Sequence, residues 1–230
     1  MKLTTSTPLV FKYLALPFGI GGRGGVQRFF MLSQNIPFEE DLYTMGDTGT
    51  WPKEKDRVIS SGENPAGKLP IIYANNGKVN PLPQHIASSR YLATIYDCTS
   101  GDPYQDYLQD MVADEYQAFR SKWVDVAFSN CDDTKASYKK EDLPKQLTKF
   151  NCMYKEFKTH DTYLSVSKKT SNPLWGDAAI FGLLRDNIIT GLLTEDTLSE
   201  YSELSTMFHE YSKIPAISKW CEMKKAENSK

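Results

Sequence analysis

The sequence predicts a two-domain protein of the α+β/α class, in which a mixed domain of strands and helices precedes an all-helical domain. Short apolar runs of strand length alternate with helical patterns over residues 1–97, whereas residues 104–230 carry helix-period patterns throughout. Between them, CTSGDP at residues 98–103 combines serine, glycine, aspartate and proline, a composition typical of linkers. We therefore expect domains at 1–97 and 104–230, joined by a linker at 98–103.

The first domain is predicted to run in the order strand, helix, strand, loop, strand, strand, helix. Residues 8–16 predict the first strand, and a glycine-rich turn after it leads into a helix with apolar residues every three to four positions. IPFEEDLYT and KLPIIYA predict the next two strands, and Asn76-Gly77 is a strong hairpin-turn signal before the fourth. HIASSRYLATIY predicts the closing helix, with Ala87 and Tyr91 on its apolar face.

The second domain is predicted to be a set of helices around one buried central helix. Apolar residues step by three and four over residues 112–126 and again over 143–157, as amphipathic helices require. WGDAAIFGLLRDNIITGLL is apolar nearly all round, so it predicts the helix at the domain centre. Two further helices are expected around residues 198–208 and 216–223.

The bulk composition argues against nucleic-acid and membrane functions. The formal charge is −2 and the isoelectric point is about 6.0, so the chain has no basic excess that would attract nucleic acid. Its longest apolar stretch, PLVFKYLALPFGI, is interrupted by Lys12, is too short to span a bilayer and lacks a clean signal-peptide core. We expect a soluble cytoplasmic protein with neither a membrane nor a nucleic-acid partner.

The cysteines and histidines predict neither a disulfide framework nor a metal site. The sequence has no CxxC pair, and its four cysteines are far apart, as is typical of free intracellular thiols: Cys98, Cys131, Cys152 and Cys221. The three histidines form no metal-ligand spacing with one another or with the cysteines. We therefore expect no bound metal.

The segment Gly19–Gly24 satisfies the G-x-G-x-x-G pattern of dinucleotide-binding loops, after a predicted strand and before a predicted helix. Glu39 and Glu40 lie far enough downstream to hold a ribose hydroxyl. An NAD-type oxidoreductase is therefore a remote alternative, weakened because β-α alternation stops after residue 96. The other interpretation is a connection that needs glycine for its backbone angles.

A further signal comes from six segments in chain order: RFFMLSQNIPFEE, NPAGKLPII, QHIASSRYLA, DMVADEYQAFRSKW, GDAAIFGLL and IPAISKWCE. They resemble the cytosolic glutathione transferases, in the pattern of the tyrosine-type classes sigma, mu, alpha and pi, and the resemblance covers about residues 8–225. It implies a thioredoxin-like first domain of order β-α-β-α-β-β-α, which puts a helix in the predicted loop. It also implies a glutathione site between this domain and the all-helical one.

Three departures from the family pattern bear on the site. The connection after the first strand is a few residues longer than in the related classes, and His85 stands where the family has a serine. Leu174 stands where the family caps the buried helix with serine or threonine, a cap typically worth about 1 kcal/mol. We therefore expect Ser171 or Asn172 to start that helix.

Thiol transfer requires a thiolate, so the site needs a group that stabilises the glutathione anion. Tyr13 carries the only side-chain hydroxyl between Pro8 and Leu32, a stretch that also lacks cysteine, so serine- and cysteine-dependent mechanisms are unsupported. The resemblance implies that Tyr13 donates a hydrogen bond to the glutathione sulfur. It implies that Arg23, as in the sigma class, biases the thiolate electrostatically. The alternatives are a tyrosine packed at a strand end and a solvated arginine.

The resemblance also implies where glutathione binds. Leu69-Pro70 is similar to the cis-proline turn whose backbone pairs with the cysteinyl residue, and Lys68 beside it is expected to contact that backbone. Gln84 and His85 resemble the pair that holds the γ-glutamyl end at a helix N-terminus. His85 could donate a hydrogen bond as serine would, carry charge at lower pH, or only cap the helix.

Three further residues complete the implied site. Trp51 and Lys55 in WPKEK resemble the pair that holds the glycyl carboxylate, and a solvated basic face is the alternative for Lys55. Asp114 resembles the acidic residue that reaches the glutathione amine of the partner subunit in sigma-like homodimers. Asp110 and Asp114 are four residues apart, so they share one helix face, which we expect to look outward. A solvated acidic face is the alternative there.

The resemblance implies a glutathione transferase of the detoxification type. Its substrates are expected to be glutathione, as co-substrate, and a small hydrophobic electrophile, with no cofactor beyond glutathione. A homodimer is expected because related transferases dimerise. Two other functions on the same fold stay open: a catalytically weak glutathione-binding or regulatory protein, and a glutathione-dependent isomerase.

Overall fold

The computed structural model describes residues 7–45, 49–74 and 81–228. Its first domain contains a four-stranded sheet with the order β2-β1-β3-β4. The strands are β1 (Leu9–Leu14), β2 (Phe38–Tyr43), β3 (Ile71–Tyr73) and β4 (Leu82–Pro83). β1 runs parallel to β2 and antiparallel to β3, which is antiparallel to β4. The predicted turn at Asn76-Gly77 lies outside the described residues.

Three helices belong to this domain: α1 (Gly24–Ser33), α2 (Thr50–Ser60) and α3 (His85–Ile95). α2 occupies the stretch that periodicity predicted to be a loop. Val58 is its one buried side chain, so its apolar face is too small for the periodicity of apolar residues to reveal the helix. Along β1, buried residues alternate with half-buried ones, as expected for a strand with one face on the core. This alternation turns Tyr13 to the buried side, next to the start of α1.

The described part of the second domain is built from seven α-helices, with a π-helical turn (Tyr138–Asp142) between the second and the third. They are α4 (Pro103–Ala127), α5 (Asp132–Ser137), α6 (Leu143–Phe157), α7 (Trp175–Ile189), α8 (Glu195–Ser199), α9 (Ser202–Ser212) and α10 (Pro215–Asn228). α4 begins after Asp102, whose carboxylate accepts a hydrogen bond from the Tyr104 amide at 2.8 Å. The predicted fold class is confirmed, and the proposed domain boundaries stay predictions.

α7 lies at the centre of the molecule, as its apolar sequence predicts, and every residue from 175 to 187 is buried. It packs against α1, where the Phe29 and Phe181 rings meet edge to face with centroids 5.0 Å apart. Phe181 also stacks on Tyr211 of α9 at 4.4 Å. Each buried ring contributes about 1.5–3 kcal/mol through removal of apolar surface from water. The contact between Phe29 and Phe181 therefore holds the two domains together.

The start of α7 differs from the prediction. Neither Ser171 nor Asn172 begins the helix, and Leu174 is the flanking residue that lacks a capping hydrogen bond. The cap comes instead from α4. Oε1 of Gln109 accepts hydrogen bonds from the backbone amides of the second and third helical residues, at 2.7 and 3.1 Å. A side chain from another helix therefore satisfies the amides that a serine or threonine would satisfy locally.

Three expectations from composition can be compared with the structure. All four cysteines are free thiols, as predicted, with Cys98 buried and Cys131 exposed. Within the described ranges, no three histidine, cysteine, aspartate or glutamate side chains converge as a metal site requires. Among the described helices, none combines the length and apolar character needed to cross a bilayer.

Candidate functional site

A cavity of about 500 Å³ opens between the first domain and α4. Eight of the ten residues predicted for the site line it: Tyr13, Arg23, Trp51, Lys68, Leu69, Pro70, Gln84 and His85. The lining also includes three residues that were not predicted: Leu14, Gly67 and Gln117. The structure therefore brings together, from five separate stretches of the first domain, most of the residues that the sequence singled out.

Tyr13 lies near the end of β1 and is 7% exposed. Its hydroxyl oxygen accepts a hydrogen bond from the backbone amide of Arg23, at 3.0 Å. Since a phenol has one proton to donate, this contact leaves the Tyr13 proton available to an acceptor in the cavity. Burial raises the pKa of Tyr13, against the opposing effects of the Gly24 and Arg23 amides and the Arg120 charge. Tyr13 is therefore a protonated hydrogen-bond donor at neutral pH.

The glycine-rich turn is shaped around this hydroxyl. A Cβ atom at Gly22 would lie 2.4 Å from the Tyr13 oxygen, and one at Gly24 would lie 2.5 Å from Cδ1 of the ring. Gly22 also has a positive φ of 55°, which residues with side chains rarely adopt. Close approach to the tyrosine thus accounts for these glycines without a nucleotide.

The same turn is bound by the second domain. The amides of Gly21 and Gly22 donate to the two carboxylate oxygens of Asp186, at 2.7 and 2.9 Å, and Arg120 pairs with that carboxylate at 2.6 Å. A dinucleotide would need these amides for its pyrophosphate. Glu40, a candidate ribose ligand, forms an ion pair with an arginine of α1 instead. The geometry therefore does not support the dinucleotide interpretation.

Arg23 contributes both its backbone and its side chain to the cavity. While its amide holds the Tyr13 hydroxyl, its guanidinium donates from Nη2 to Oγ of Ser121 on α4, at 3.1 Å. The side chain therefore connects the glycine-rich turn to the second domain. This contact fixes a positive charge at the cavity wall, in the position that an electrostatic role would require.

The segment before β3 lines the cavity with residues 67–70. The Leu69-Pro70 peptide bond is cis, as the resemblance implies. Asn64 is fully buried and holds this segment in place, because its Nδ2 donates to the carbonyl of Lys68 and its amide donates to the carbonyl of Val58, both at 2.8 Å. Sequence analysis did not single out Asn64, although it is the first residue of the NPAGKLPII segment.

Gln84 and His85 form the junction between β4 and α3. Gln84 is exposed and has a positive φ of 69°, whereas His85 is 5% exposed and lies edge-on to Tyr116, with ring centroids 6.0 Å apart. Nε2 of His85 has no hydrogen-bond partner among the described residues. Burial, reinforced by the charges of Arg23 and Arg120, lowers the pKa of His85 to about 3. Of the three alternatives for His85, a charged imidazole at mildly acidic pH is therefore not supported.

The residues expected to hold the glycyl end differ in their positions. Trp51 lines the cavity from the first turn of α2, and the centroids of its ring and the Tyr43 ring are 5.2 Å apart. Lys68 lines the cavity from the segment before β3. Lys55 does not line it. Its side chain passes Gly67 of the cavity wall, where an added Cβ would lie 3.2 Å from Cε of Lys55. Lys55 thus lies beside Gly67 without lining the cavity.

Asp114 lies apart from the cavity, in a surface depression of about 590 Å³ between α3 and α4. Gln84 borders both spaces. Asp110, expected to look outward on the same helix face, is already engaged: it accepts hydrogen bonds from Arg90 at 2.8 Å and from the indole of Trp175 at 3.0 Å. Asp110 and Asp114 therefore line the same depression, but the Asp110 carboxylate is already paired there.

Arg120 and Asp186 support the site and were not predicted. Both are fully buried. Nε of Arg120 donates to the Tyr116 hydroxyl at 3.0 Å, and its guanidinium lies 4.7 Å from the centroid of the Trp123 ring. A sequence signal does exist, because each is a charged residue within an otherwise apolar helix face. Since buried charges require partners, two such positions predict an ion pair between helices.

Comparison with known proteins gives consistent results. The family model for the glutathione S-transferase C-terminal domain matches residues 117–224. A glutathione S-transferase of Anopheles gambiae is 29% identical over 176 residues, which cover 75% of this chain and 77% of that protein. Glutathione S-transferase S1 of Drosophila melanogaster is 22% identical over 219 residues, which cover 94% of this chain and 80% of that protein.

A solved structure shows the same fold. The pi-class glutathione S-transferase of Onchocerca volvulus superposes with a TM-score of 0.75 at 20% identity. The superposition covers 96% of this chain and 95% of that one, so both domains of the present chain have counterparts there. At this level of identity, the likeness is evidence for the fold.

Proposed function

Because the chain belongs to the cytosolic glutathione transferase family, we propose that it binds glutathione in the cavity beside Tyr13 and transfers it to a small hydrophobic electrophile. One observation carries this proposal. The Arg23 amide occupies an acceptor site of the Tyr13 hydroxyl and leaves the phenol proton for a sulfur atom in the cavity.

The chemical step needs the thiolate form of glutathione. On binding, the thiol releases its proton to solvent, and Tyr13 donates a hydrogen bond to the resulting anion. A hydrogen bond to a charged group contributes about 1.5–3 kcal/mol, enough to lower a thiol pKa by about one to two. The N-terminus of α1 and the Arg23 guanidinium add positive potential at the same point. The thiolate then attacks the electrophilic carbon, and a carbon–sulfur bond forms as the leaving group departs.

The cysteinyl and γ-glutamyl parts of glutathione are proposed to bind the first domain. The Leu69 backbone, which Asn64 holds through the neighbouring carbonyl, pairs with the cysteinyl backbone. Gln84 and His85 hold the γ-glutamyl carboxylate together with the free amides of α3. His85 acts there as a neutral N–H donor, and its unpartnered Nε2 supports this role, since a buried polar atom without a partner is costly.

The glycyl carboxylate is proposed to bind Trp51 and Lys68, which line that part of the cavity. Lys55, beside Gly67, contributes positive charge near this end. In a homodimer, Asp114 of one subunit approaches the glutathione amine held by the other. Gln84 borders both the cavity and the depression that contains Asp114, which supports such a shared site. We further propose a cytoplasmic protein that needs no cofactor beyond glutathione.

Glutathione-agarose retention combined with an aryl-halide conjugation assay tests the proposal. Retention with turnover is the expected result. Retention without turnover would instead support a glutathione-binding protein on the same fold. Loss of retention, with binding to a nicotinamide-dye resin, would contradict the proposal and return attention to the glycine-rich turn.

A further inference from the structure

The carboxylate of Asp186 reaches from the central helix of the second domain into the first domain. It is fully buried, and each of its oxygens accepts a backbone amide of the glycine-rich turn, Gly21 at 2.7 Å and Gly22 at 2.9 Å. Two charge-assisted hydrogen bonds to consecutive amides define both the position and the orientation of a short turn. The turn is therefore placed by a side chain that lies more than 160 residues away in sequence.

The position of this turn determines the environment of the Tyr13 hydroxyl. Arg23 directly follows Gly22, and the Arg23 amide donates to the Tyr13 oxygen at 3.0 Å. The approach is so close that a Cβ at Gly22 would lie 2.4 Å from the same oxygen. A displacement of the turn by a few tenths of an ångström would therefore lengthen the amide contact or crowd the phenol.

Arg120 makes the buried carboxylate possible. Its Nη1 donates to Oδ2 of Asp186 at 2.6 Å, and its Nε donates to the Tyr116 hydroxyl at 3.0 Å. Both members of the pair are fully buried, so each charge compensates for the lost hydration of the other. Removal of one charge would leave the other without a partner inside the protein.

We infer that Asp186 is a positioning residue for the thiolate chemistry, acting through the Gly21–Gly22 amides to hold the Arg23 amide against the Tyr13 hydroxyl. The inference rests on the proposed function, because it assumes that Tyr13 serves a bound thiolate. Asp186 itself does not line the cavity. Its contribution is to fix which way the phenol proton is donated, so that glutathione meets a prearranged donor.

Titratable and charged side chains surround this arrangement on several elements. They are Tyr13 of β1, Arg23 of the turn, His85 of α3, Tyr116 and Arg120 of α4, Arg185 of α7, which donates to the Gly19 carbonyl, and Lys224 of α10, which lies beside Gly19. An Asp186 variant changes the charge balance among them as well as the position of the turn. The experiment therefore needs a control that removes an equally buried carboxylate elsewhere on α7.

Asp186→Asn is the test variant, and Asp177→Asn is the matched control. Asparagine offers one acceptor oxygen and one NH₂ group. In one orientation the NH₂ group faces the Gly21 amide, and in the other it faces the Gly22 amide and Arg120, so donor meets donor in both. Asp177 is also fully buried on α7, but it contacts Gln109 and not the turn. The measurement is the ultraviolet absorbance of enzyme-bound glutathione thiolate against pH, with kcat and KM determined over the same range.

In Asp186→Asn, the midpoint of the thiolate titration is expected to rise by about one pH unit, which lowers kcat about tenfold below the midpoint. The KM for glutathione is expected to change less than about threefold, since the cavity wall is intact. Asp177→Asn is expected to lower stability and leave the titration midpoint in place.

A midpoint for Asp186→Asn equal to that of the parent, or an equal shift in Asp177→Asn, would overturn the inference. Should Asp186→Asn not fold, Gly22→Ala displaces the same turn while Asp186 and Arg120 remain paired, and it is expected to raise the midpoint likewise. A folded Gly22→Ala protein with an unshifted midpoint would also overturn it. If the parent shows neither thiolate absorbance nor turnover, the proposed function fails first, and the inference falls with it.

Discussion

The Gln109 side chain of α4 lies across the first turn of α7 and contacts Asp177 twice. Its Oε1 accepts the Asp177 amide at 3.1 Å, and its Nε2 donates to the Asp177 carboxylate at 2.7 Å. The Tyr154 hydroxyl donates to the same carboxylate at 2.8 Å. Three elements of the second domain therefore meet in one buried polar network, at the helix end where Leu174 provides no cap.

Gln109→Ala is expected to lower the free energy of unfolding by about 2–3 kcal/mol, because it leaves two helix amides without a partner and removes one of the hydrogen bonds to the buried Asp177 carboxylate. Urea unfolding followed by circular dichroism measures the change. Gln105→Ala, the same replacement at a half-buried position of α4, is the control and should cost no more than about 0.5 kcal/mol. Similar losses in the two variants would show that the cap has no special weight.

Tyr13→Phe should leave glutathione affinity nearly unchanged and raise the pKa of the bound thiol, because it removes the hydrogen bond to the anion and little else. Loss of one donor to a charged atom predicts a fall in kcat of about tenfold to a hundredfold at neutral pH. Thiolate absorbance and steady-state kinetics check both effects. Tyr91→Phe, at an exposed position of α3, serves as the control. An unchanged titration in Tyr13→Phe would assign Tyr13 a packing role.

His85→Ser should make the protein less sensitive to acid. His85 has a pKa of about 3 in the folded chain against an ordinary value of 6.5, so between these pH values the unfolded chain binds more protons. Stability therefore falls as the pH drops, by about 2 kcal/mol between pH 7 and pH 5, and the serine variant lacks this loss. Asp177, whose pKa is raised to about 6, acts in the opposite direction, but it is common to both proteins and cancels.

The measurement for His85 is the difference in unfolding free energy between parent and variant at pH 7 and at pH 5. His209→Ser, at an exposed position of α9, gives the baseline for loss of an imidazole. A difference that does not move between the two pH values would show that His85 is not held neutral by its surroundings.

Asp114→Asn tests the shared site in a homodimer. The variant keeps the size of the side chain and removes its charge, so glutathione should bind about two- to fivefold more weakly while the dimer survives. An analogue without the γ-glutamyl amine should bind parent and variant alike. Calorimetry measures the affinities, sedimentation measures the assembly, and Asp125→Asn on the exposed side of α4 is the control. A monomer in sedimentation, or equal glutathione affinities, contradicts the shared site.

Periodicity predicted much of the fold, and it failed where polar side chains are buried. The apolar face predicted for α3 includes Ala87 and Tyr91, yet both are exposed, and the buried face contains Ser88 and Ser89. The serine hydroxyls donate to carbonyls of their own helix, in both cases that of His85, so burial leaves them satisfied. A pattern that scores serine as polar cannot detect such a face.

The candidate site was predicted where contacts are local and missed where they join helices that are far apart in sequence. Tyr13 and the Leu69-Pro70 turn were identified from segments of a few residues. Arg120 and Asp186 gain their meaning from a pairing between α4 and α7, which sequence spacing does not encode. A buried cation and a buried anion in two apolar helix faces are a pattern worth searching for in other sequences.

The bond between Asp186 and the glycine-rich turn has a consequence for how this protein can be divided and recombined. The phenol belongs to the first domain, but the group that places its amide partner belongs to the second. Neither half is therefore a transferable unit. A chimera that grafts the first domain of a relative onto this second domain would set a foreign connection opposite Asp186. Such a chimera would also need α7 exchanged for the helix of the same relative, because the turn and the carboxylate that accepts its amides fit each other.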